Sequence, residues 1–318
     1  MTTIQDTQTL PVEDAFTMEV LEGLTATPRT ISPALFYDAK GSELFDEITR
    51  QPEYYQARTE RKILDSVRAD LASHLQGPIE LVEFGAGSAE KTETLLEALE
   101  VATYRPVDVS ASALKGAAKR LRGRFPSLAI DAVVQDYHNP IELGPLPKTG
   151  SRVAFFPGST VGNFHPAEAA EFLARVARMV GKGGALVLGV DLVKDLDVLH
   201  AAYNDAAGVT AEFNLNALRH VNARTGAGFD LETWKHYAFF NPMASRIEMH
   251  LVCTEEQEVH LGDQTLSFDR FDSIWTESSY KYTPKTMGEL ARAAGFSVET
   301  VWMDDRKWFG VMLLRAMG

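Results

Sequence analysis

Leu81-Val-Glu-Phe-Gly-Ala-Gly-Ser-Ala-Glu-Lys-Thr92 is a short apolar run that ends on two glycines and turns into a helix start. The next apolar run, Tyr104-Arg-Pro-Val-Asp-Val-Ser110, carries an acidic residue, Asp108, at its end. Together they have the layout of a nucleoside-binding βαβ unit, in which glycines let the backbone approach the ligand and a carboxylate accepts from ribose hydroxyls. The third glycine of the dinucleotide fingerprint is absent, because Glu90 occupies its place. A pyrophosphate needs close backbone approach at a helix N-terminus, where an acidic side chain would repel it. The loop therefore points to a nucleoside without phosphates, with S-adenosylmethionine as the candidate.

Working outward, strand and helix signals alternate. Strands are expected at Ile79–Phe84, Thr103–Val107, Leu128–Val134, Arg152–Phe156 and Ala185–Val190. Helices are expected at Ala89–Leu99, Ser110–Arg124 and Pro166–Val180, the last stopped by Gly181-Lys-Gly-Gly184. Such alternation implies a parallel, doubly wound sheet. Two final strands, Ser297–Met303 and Trp308–Ala316, follow a helix at Thr286–Ala294. A terminal hairpin on a parallel sheet is the class I methyltransferase pattern, a Rossmann-like α/β fold, and is unusual for a dehydrogenase. Upstream, helices are expected at Val12–Leu24, at Ser42–Arg50 with Ser42 as N-cap, and as one segment from Thr59 to about Leu75. After Asp195 the pattern breaks into helices at Val198–Ala207 and Asn214–Thr225, then strand-like runs near Tyr237, at Arg246–Cys253 and at Glu258–Leu261. The expected domains are a cofactor-binding domain of 58–195 and 283–318, and a smaller α+β substrate-binding domain of 12–57 and 196–282.

A formal charge of −13 over 318 residues disfavours nucleic acid and anionic membrane surfaces as partners. No apolar run is long enough to span a bilayer, and Met1-Thr-Thr-Ile-Gln-Asp6 lacks the basic and apolar regions of a secretory signal. The single cysteine, Cys253, fits a reducing cytoplasm, and the eight histidines show no metal-ligand spacing. Residues 1–11 are expected to fray, and a monomer is the default.

Within the cofactor half, Glu83, Gly85 and Gly87 would line the methionine portion of S-adenosylmethionine, with Lys91 in the same loop. Asp108 would hold the ribose. Asp136, in Gln135-Asp-Tyr137, would accept from the adenine amine, with Tyr137 beside it.

Leu35-Phe-Tyr-Asp-Ala-Lys-Gly-Ser-Glu-Leu-Phe-Asp-Glu-Ile-Thr-Arg-Gln-Pro-Glu-Tyr-Tyr55 resembles the N-terminal signature of the histidine-specific N-alpha-methyltransferases of ergothioneine biosynthesis. So do Phe155-Phe-Pro-Gly-Ser-Thr-Val-Gly-Asn-Phe164, Gly189-Val-Asp-Leu-Val-Lys-Asp195 and Tyr203-Asn-Asp-Ala-Ala-Gly-Val-Thr-Ala-Glu-Phe-Asn214. Arg246-Ile-Glu-Met249 and Thr276-Glu-Ser-Ser-Tyr-Lys-Tyr282 complete the set, which spans nearly the whole chain. The resemblance implies trimethylation of the α-amino group of L-histidine to hercynine by three molecules of S-adenosylmethionine. It implies that Asn163 and Tyr203 bind the α-carboxylate, that Gly158 offers a carbonyl near the amine, and that Tyr37 lies nearby. It also implies that Glu277 and Ser279 grip the imidazole nitrogens, that Tyr54 approaches the ring, and that Met249 and Phe213 wall it.

Taken singly, each residue has a plainer reading. Tyr54 and Tyr55 suit a core, Glu277 and Ser279 a solvated strand face, Met249 a core filler and Asn163 a cap for the helix near Pro166. Three rival functions remain: N-methylation of another aromatic amino acid such as tryptophan, a silent nucleoside-binding protein, and a nicotinamide-dependent dehydrogenase. Retention of Met249 and Glu277 favours histidine over tryptophan, because a buried carboxylate beside an indole would lack a second ring nitrogen and cost desolvation.

Overall fold

A computed structural model describes residues 12–318; the expected fraying of residues 1–11 and the stretch Met1–Asp6 lie outside the described residues. In chain order the elements are α1 (Val12–Thr25), α2 (Ala39–Arg50), α3 (Gln56–Ser66), α4 (Arg68–His74), β1 (Ile79–Phe84), α5 (Thr92–Ala98), β2 (Val101–Asp108) and α6 (Ala111–Arg124). Next come β3 (Ala129–Ile130), β4 (Val133–Val134), β5 (Ser151–Phe156), α7 (Pro166–Val180), β6 (Ala185–Asp191), α8 (Leu196–Tyr203) and α9 (Val209–Thr225). The chain then forms β7 (Trp234–Asn241), β8 (Arg246–Cys253), β9 (Gln257–Leu261), β10 (Gln264–Phe268), β11 (Ser273–Tyr280), α10 (Pro284–Ala293), β12 (Phe296–Met303) and β13 (Phe309–Ala316).

Contacts divide the chain into two units. The smaller runs to Tyr54 and takes in Leu196–Asn241 and Ile247–Glu277; the larger holds Tyr55–Asp195, Pro242–Arg246 and Ser278–Gly318. The boundaries fall at Tyr55 and Ser278 rather than at 58 and 283, because Tyr55 and Lys281 both bond to Asp191 in β6.

The larger unit is built on one sheet in the order β12-β13-β6-β5-β1-β2-β3, with β4 also on β2. Strands β1, β2, β5 and β6 pair in parallel, while β13 runs antiparallel to both β6 and β12. This is the expected doubly wound sheet with a C-terminal hairpin. The alternation of β1 sends Val82 and Phe84 into the core on one face and Ile79 and Leu81 into the core on the other. Chain order reverses at β1, flanked by β2 and β5, so their carboxyl ends form the switch point at which open α/β sheets take ligands.

Helix α7 shows how local sequence sets an element. Pro166 occupies its first turn, the Glu168 carboxylate accepts from the His165 N–H at 2.9 Å, and Gly181 ends it at φ 72°. Ala169, Phe172, Leu173, Val176 and Val180 recur at helical spacing and all are buried. Each large member contributes about 1.5–3 kcal/mol. Phe172→Ala would forfeit that and leave a cavity, at a cost of about 3–5 kcal/mol.

Several expected boundaries move, among them α9, which starts at Val209 rather than Asn214, and α8, which ends at Tyr203 rather than Ala207. Asp38 rather than Ser42 caps α2, its Oδ1 accepting from the Gly41 N–H at 2.7 Å, so the helix starts earlier. The expected Thr59–Leu75 helix breaks at Val67 into α3 and α4. Leu128–Val134 forms two short strands instead of one. Ala89 has φ 52°, outside helical space, which delays α5 to Thr92.

The smaller unit contains α1, α2, α8, α9, most of a three-stranded sheet in the order β11-β8-β7, and the β9–β10 hairpin. Asp205 starts α9 by accepting from the Val209 and Thr210 N–H groups, both at 2.8 Å. Among the described residues no helix is long and apolar enough to cross a membrane.

Candidate active site

At the carboxyl end of β1 the chain bends through Gly85 (φ 66°) and Gly87 (φ 48°), conformations that favour glycine. The Gly87 N–H donates to Asp108 Oδ2 and the Ser110 N–H to Asp108 Oδ1, both at 2.9 Å. The expected ribose ligand therefore also ties the first glycine loop to the end of β2. The Tyr137 ring lies where a Cβ on Gly85 would touch it, and it packs edge-on against Phe84 and Phe156. Asp136 accepts from the His138 N–H at 2.9 Å. Glu90, in place of the third glycine, is exposed and pairs with Arg61 at 3.0 Å.

Glu83 is buried beneath this loop and accepts from the Thr92 and Tyr104 hydroxyls. Burial pushes its carboxyl up to about 7, against those hydrogen bonds and the charge of Lys91. Lys91 itself donates to Glu60 Oε2 at 2.5 Å, and Glu60, fully buried on α3, accepts from the Gly158 N–H at 2.9 Å. A Cβ on Gly189 would collide with the Glu60 carboxylate, so a larger residue there would displace that side chain. Gly158 (φ 77°) and Ser159 (φ 61°) turn the chain through left-handed space before Asn163, which is half-buried at the end of a short 3-10 turn. His165, not Asn163, is the N-cap of α7, which removes the plain capping role for Asn163.

A second buried centre lies at the end of β6. The Asp191 carboxylate takes Lys194 at 2.5 Å, Lys281 at 2.9 Å and the Tyr55 hydroxyl at 2.8 Å. Burial favours the neutral carboxyl, but the charges of Lys281 and Lys194 outweigh it and hold Asp191 below the usual carboxylate range. Burial also pushes the Lys194 amine down to about 8. The Lys281 amine donates in turn to Ser279 Oγ at 2.7 Å. The Asp191 N–H donates to Ser159 Oγ at 2.8 Å, joining this centre to the Gly158 turn.

In the smaller unit the structure gathers Tyr37, Tyr54 and Phe213 around Phe45. Phe213 stacks on Phe36 with centroids 4.7 Å apart, and Tyr37 meets it edge-on at 5.6 Å. Phe45 lies 6.0 Å from Phe213 and 6.3 Å from Tyr54. Tyr203 is buried, and its carbonyl accepts from His236 Nε2 at 2.9 Å while Asn214 bonds His236 Nδ1 at 2.9 Å. That pairing requires neutral imidazole, and burial lowers the His236 pKa accordingly. Met249 is buried on β8, and its carbonyl accepts from the Thr276 hydroxyl at 3.0 Å. Glu277 follows Thr276 on β11 and is half-buried.

A family model described as histidine-specific methyltransferase, SAM-dependent, matches residues 16–316. The chain belongs to that family. It is 41% identical to the histidine N-alpha-methyltransferase of Mycolicibacterium smegmatis and 40% identical to that of Mycobacterium tuberculosis, covering 94% of both chains in each case. An S-adenosylmethionine-dependent methyltransferase from Clostridium acetobutylicum shares the fold with a TM-score of 0.51 at 12% identity, covering 88% of this chain and 98% of that one. Family membership makes S-adenosylmethionine the methyl donor.

Sequence reasoning missed Glu60, Phe45, His236 and the Asp191–Lys281 pair as parts of this architecture. Glu60 left a trace, as a carboxylate on the apolar face of α3 beside Ile63 and Leu64. Lys281 also left one, two residues beyond Ser279 in strand alternation. His236 gave no signal, since only the fold brings it to Tyr203 and Asn214.

Proposed function

We propose that this protein transfers three methyl groups from S-adenosylmethionine to the α-amino group of L-histidine, giving hercynine, as the first step of ergothioneine biosynthesis. The observation that carries the reading is β11, which holds Glu277 and Ser279 at alternate positions of one strand, next to the strand that carries Met249. A carboxylate and a hydroxyl match the two nitrogens of an imidazole, one of which donates while the other accepts.

The cofactor edge fits its group by chemistry. Asp108 and Asp136 supply acceptors for hydroxyls and an amine, the positive-φ glycines open the backbone, and Glu83 offers a carboxylate to a cation. S-adenosylmethionine, when bound, supplies an electrophilic methyl on a sulfonium. In the larger unit we assign Glu83, Gly85, Gly87 and Lys91 to its methionine end, Asp108 to the ribose, and Asp136 and Tyr137 to the adenine. Gly158 offers its carbonyl oxygen to an α-amino N–H, Asn163 its amide to the α-carboxylate, and Ser279 its hydroxyl to the ring. Glu60 holds the Gly158 turn by its N–H, so the carbonyl direction is set before substrate arrives. In the smaller unit we assign Tyr203 to the carboxylate, Tyr37 to the amine, Glu277 and Tyr54 to the ring nitrogens, and Met249 and Phe213 to the ring faces.

Positioning dominates such a transfer, because the nucleophile, the methyl carbon and sulfur must lie in line with water excluded. The amine must be neutral to attack, and a nearby sulfonium depresses its pKa. Each transfer forms an N–C bond, returns an electron pair to sulfur as S-adenosylhomocysteine leaves, and releases one proton. A cytoplasmic monomer belongs to the same proposal and rests on composition; light scattering at the mass of a dimer would revise it. The deciding experiment is mass spectrometry after incubation with S-adenosylmethionine and each free amino acid. Three successive methyl additions on histidine alone support the reading, whereas methylation of tryptophan with histidine untouched would replace it.

A further inference from the structure

Of the two carboxylate oxygens of Asp136, one is fully occupied within its own turn. Its Oδ1 accepts from the His138 N–H at 2.9 Å and lies 2.6 Å from His138 Nδ1. A carboxylate only accepts, so Nδ1 carries the hydrogen of this pair, and two donors then fill both lone pairs of Oδ1. Among the described residues Oδ2 has no partner. The turn is fixed on both sides. Strand β4 runs beside β2 with Val134 opposite Asp108, and the Gln135 N–H donates to the Asp108 carbonyl at 3.1 Å. The expected ribose and adenine carboxylates therefore lie near neighbouring strand ends. From α7, Arg175 Nη2 donates to the His138 carbonyl at 2.9 Å. The His138 ring stacks on Tyr137 with centroids 4.9 Å apart, and Phe164 lies 4.7 Å from it on a tilt.

We propose that His138 is a positioning residue for adenine recognition: its Nδ1–H completes the occupation of Asp136 Oδ1 and leaves Oδ2 as the acceptor for the exocyclic amine. The proposal rests on the assignment of Asp136 to the adenine. The last torsion of an aspartate side chain is broad, so one backbone N–H alone leaves the carboxylate free to tilt and to exchange its oxygens. With the imidazole in place, such a rotation breaks two hydrogen bonds instead of one. The ring cannot follow the carboxylate, because Tyr137 and Phe164 set its plane and Arg175 holds its backbone. The gain goes to a base that carries an amine, since a purine without one has no hydrogen to offer Oδ2. His138 is exposed and Asp136 half-buried, so solvent screens the pair and keeps the effect modest.

The test is calorimetry with S-adenosylhomocysteine and with its deamino analogue, in which hydrogen replaces the adenine amine. The unaltered protein should bind the first at least about tenfold more tightly, the worth of a hydrogen bond to a charged group. In His138→Ala that preference should shrink by about threefold, with affinity for the analogue changed by less than about twofold. His138→Asn places an amide nitrogen where Nδ1 stands, and it should restore the preference without the ring. A merely structural loss would weaken both ligands alike and keep their ratio. A preference undiminished in His138→Ala would overturn the proposal. So would a preference lost in His138→Ala and not regained in His138→Asn, because the ring and not the donor would then be responsible. Binding of the analogue reports in each variant that the site is folded. Equal binding of the two ligands by the unaltered protein would instead sink the assignment of Asp136 to the adenine.

Discussion

At the carboxyl edge of the large sheet Glu60, Glu83 and Asp191 are buried carboxylates, each held by at least two polar partners. Around Phe213 the smaller unit instead gathers Phe36, Tyr37 and Phe45, rings whose contacts carry no formal charge. Buried charge is costly unless every partner is in place, so the first arrangement tolerates one geometry. Ring packing depends on shape and volume, and such clusters accommodate modest substitution more readily. The fixed half suits a ligand whose chemistry does not vary. If Phe213 and Tyr37 meet the acceptor as proposed, the ring-lined half is where acceptor choice would be retuned.

The largest expected effect tests the rigidity of the charged half. Asp191→Asn leaves two buried lysines without their carboxylate and should cost about 3–5 kcal/mol in urea unfolding. A loss below about 1 kcal/mol would mean that the lysines re-pair or reach solvent, and the contrast with the ring cluster would fail. The next two substitutions cross the halves. Glu277→Ala should weaken histidine binding by about 1.5–3 kcal/mol, the worth of a charged hydrogen bond, and leave cofactor affinity nearly unchanged in calorimetry. Equal loss of both affinities would remove the assignment of Glu277 to the ring. Asp108→Ala should weaken S-adenosylmethionine first, by at least about tenfold, through loss of charged hydrogen bonds and of the tie to Gly87. Unchanged cofactor affinity there would show that the end of β2 does not meet the ribose.

The smallest effect concerns pH. Glu83 is raised to about 7, so it is mostly protonated at pH 6 and mostly ionised at pH 8. Its contribution to folding is present in acid and fades as pH rises through about 7. A cationic cofactor prefers the ionised form, so S-adenosylmethionine affinity should rise up to about tenfold from pH 6 to 8. S-adenosylhomocysteine, which lacks the sulfonium, should respond less, and Glu83→Gln should flatten the difference. Parallel rises for both ligands in the unaltered protein would show that Glu83 does not face the sulfonium.

The two halves were also unequally legible. Strands of the larger unit announce themselves because both faces are covered, giving continuous apolar runs such as Ala185-Leu-Val-Leu-Gly-Val190 between helices of 3.6 periodicity. Gly85, Gly87 and Asp108 could be named because short-range spacing places them at strand ends. Tyr203, Met249 and Glu277 gave no such signal, since tyrosine, methionine and glutamate are ordinary in cores and on strand faces. They were found through resemblance to a family. The Ser42 cap failed because Asp38 competes for the same turn and its carboxylate reaches the Gly41 N–H.

The sequence by itself determined the doubly wound sheet, the antiparallel terminal hairpin and a glycine loop for a phosphate-free nucleoside. Each of those depends on periodicity and turn chemistry that act over a few residues. Only the tertiary structure decided that Glu60 holds the Gly158 turn, that His236 meets Tyr203, and that Asp191 gathers Lys194, Lys281 and Tyr55. Apart from Lys194, three residues from Asp191, those partners lie far apart in the chain, and the need to neutralise a charge out of water does not reveal, from sequence spacing, which distant residue will meet it.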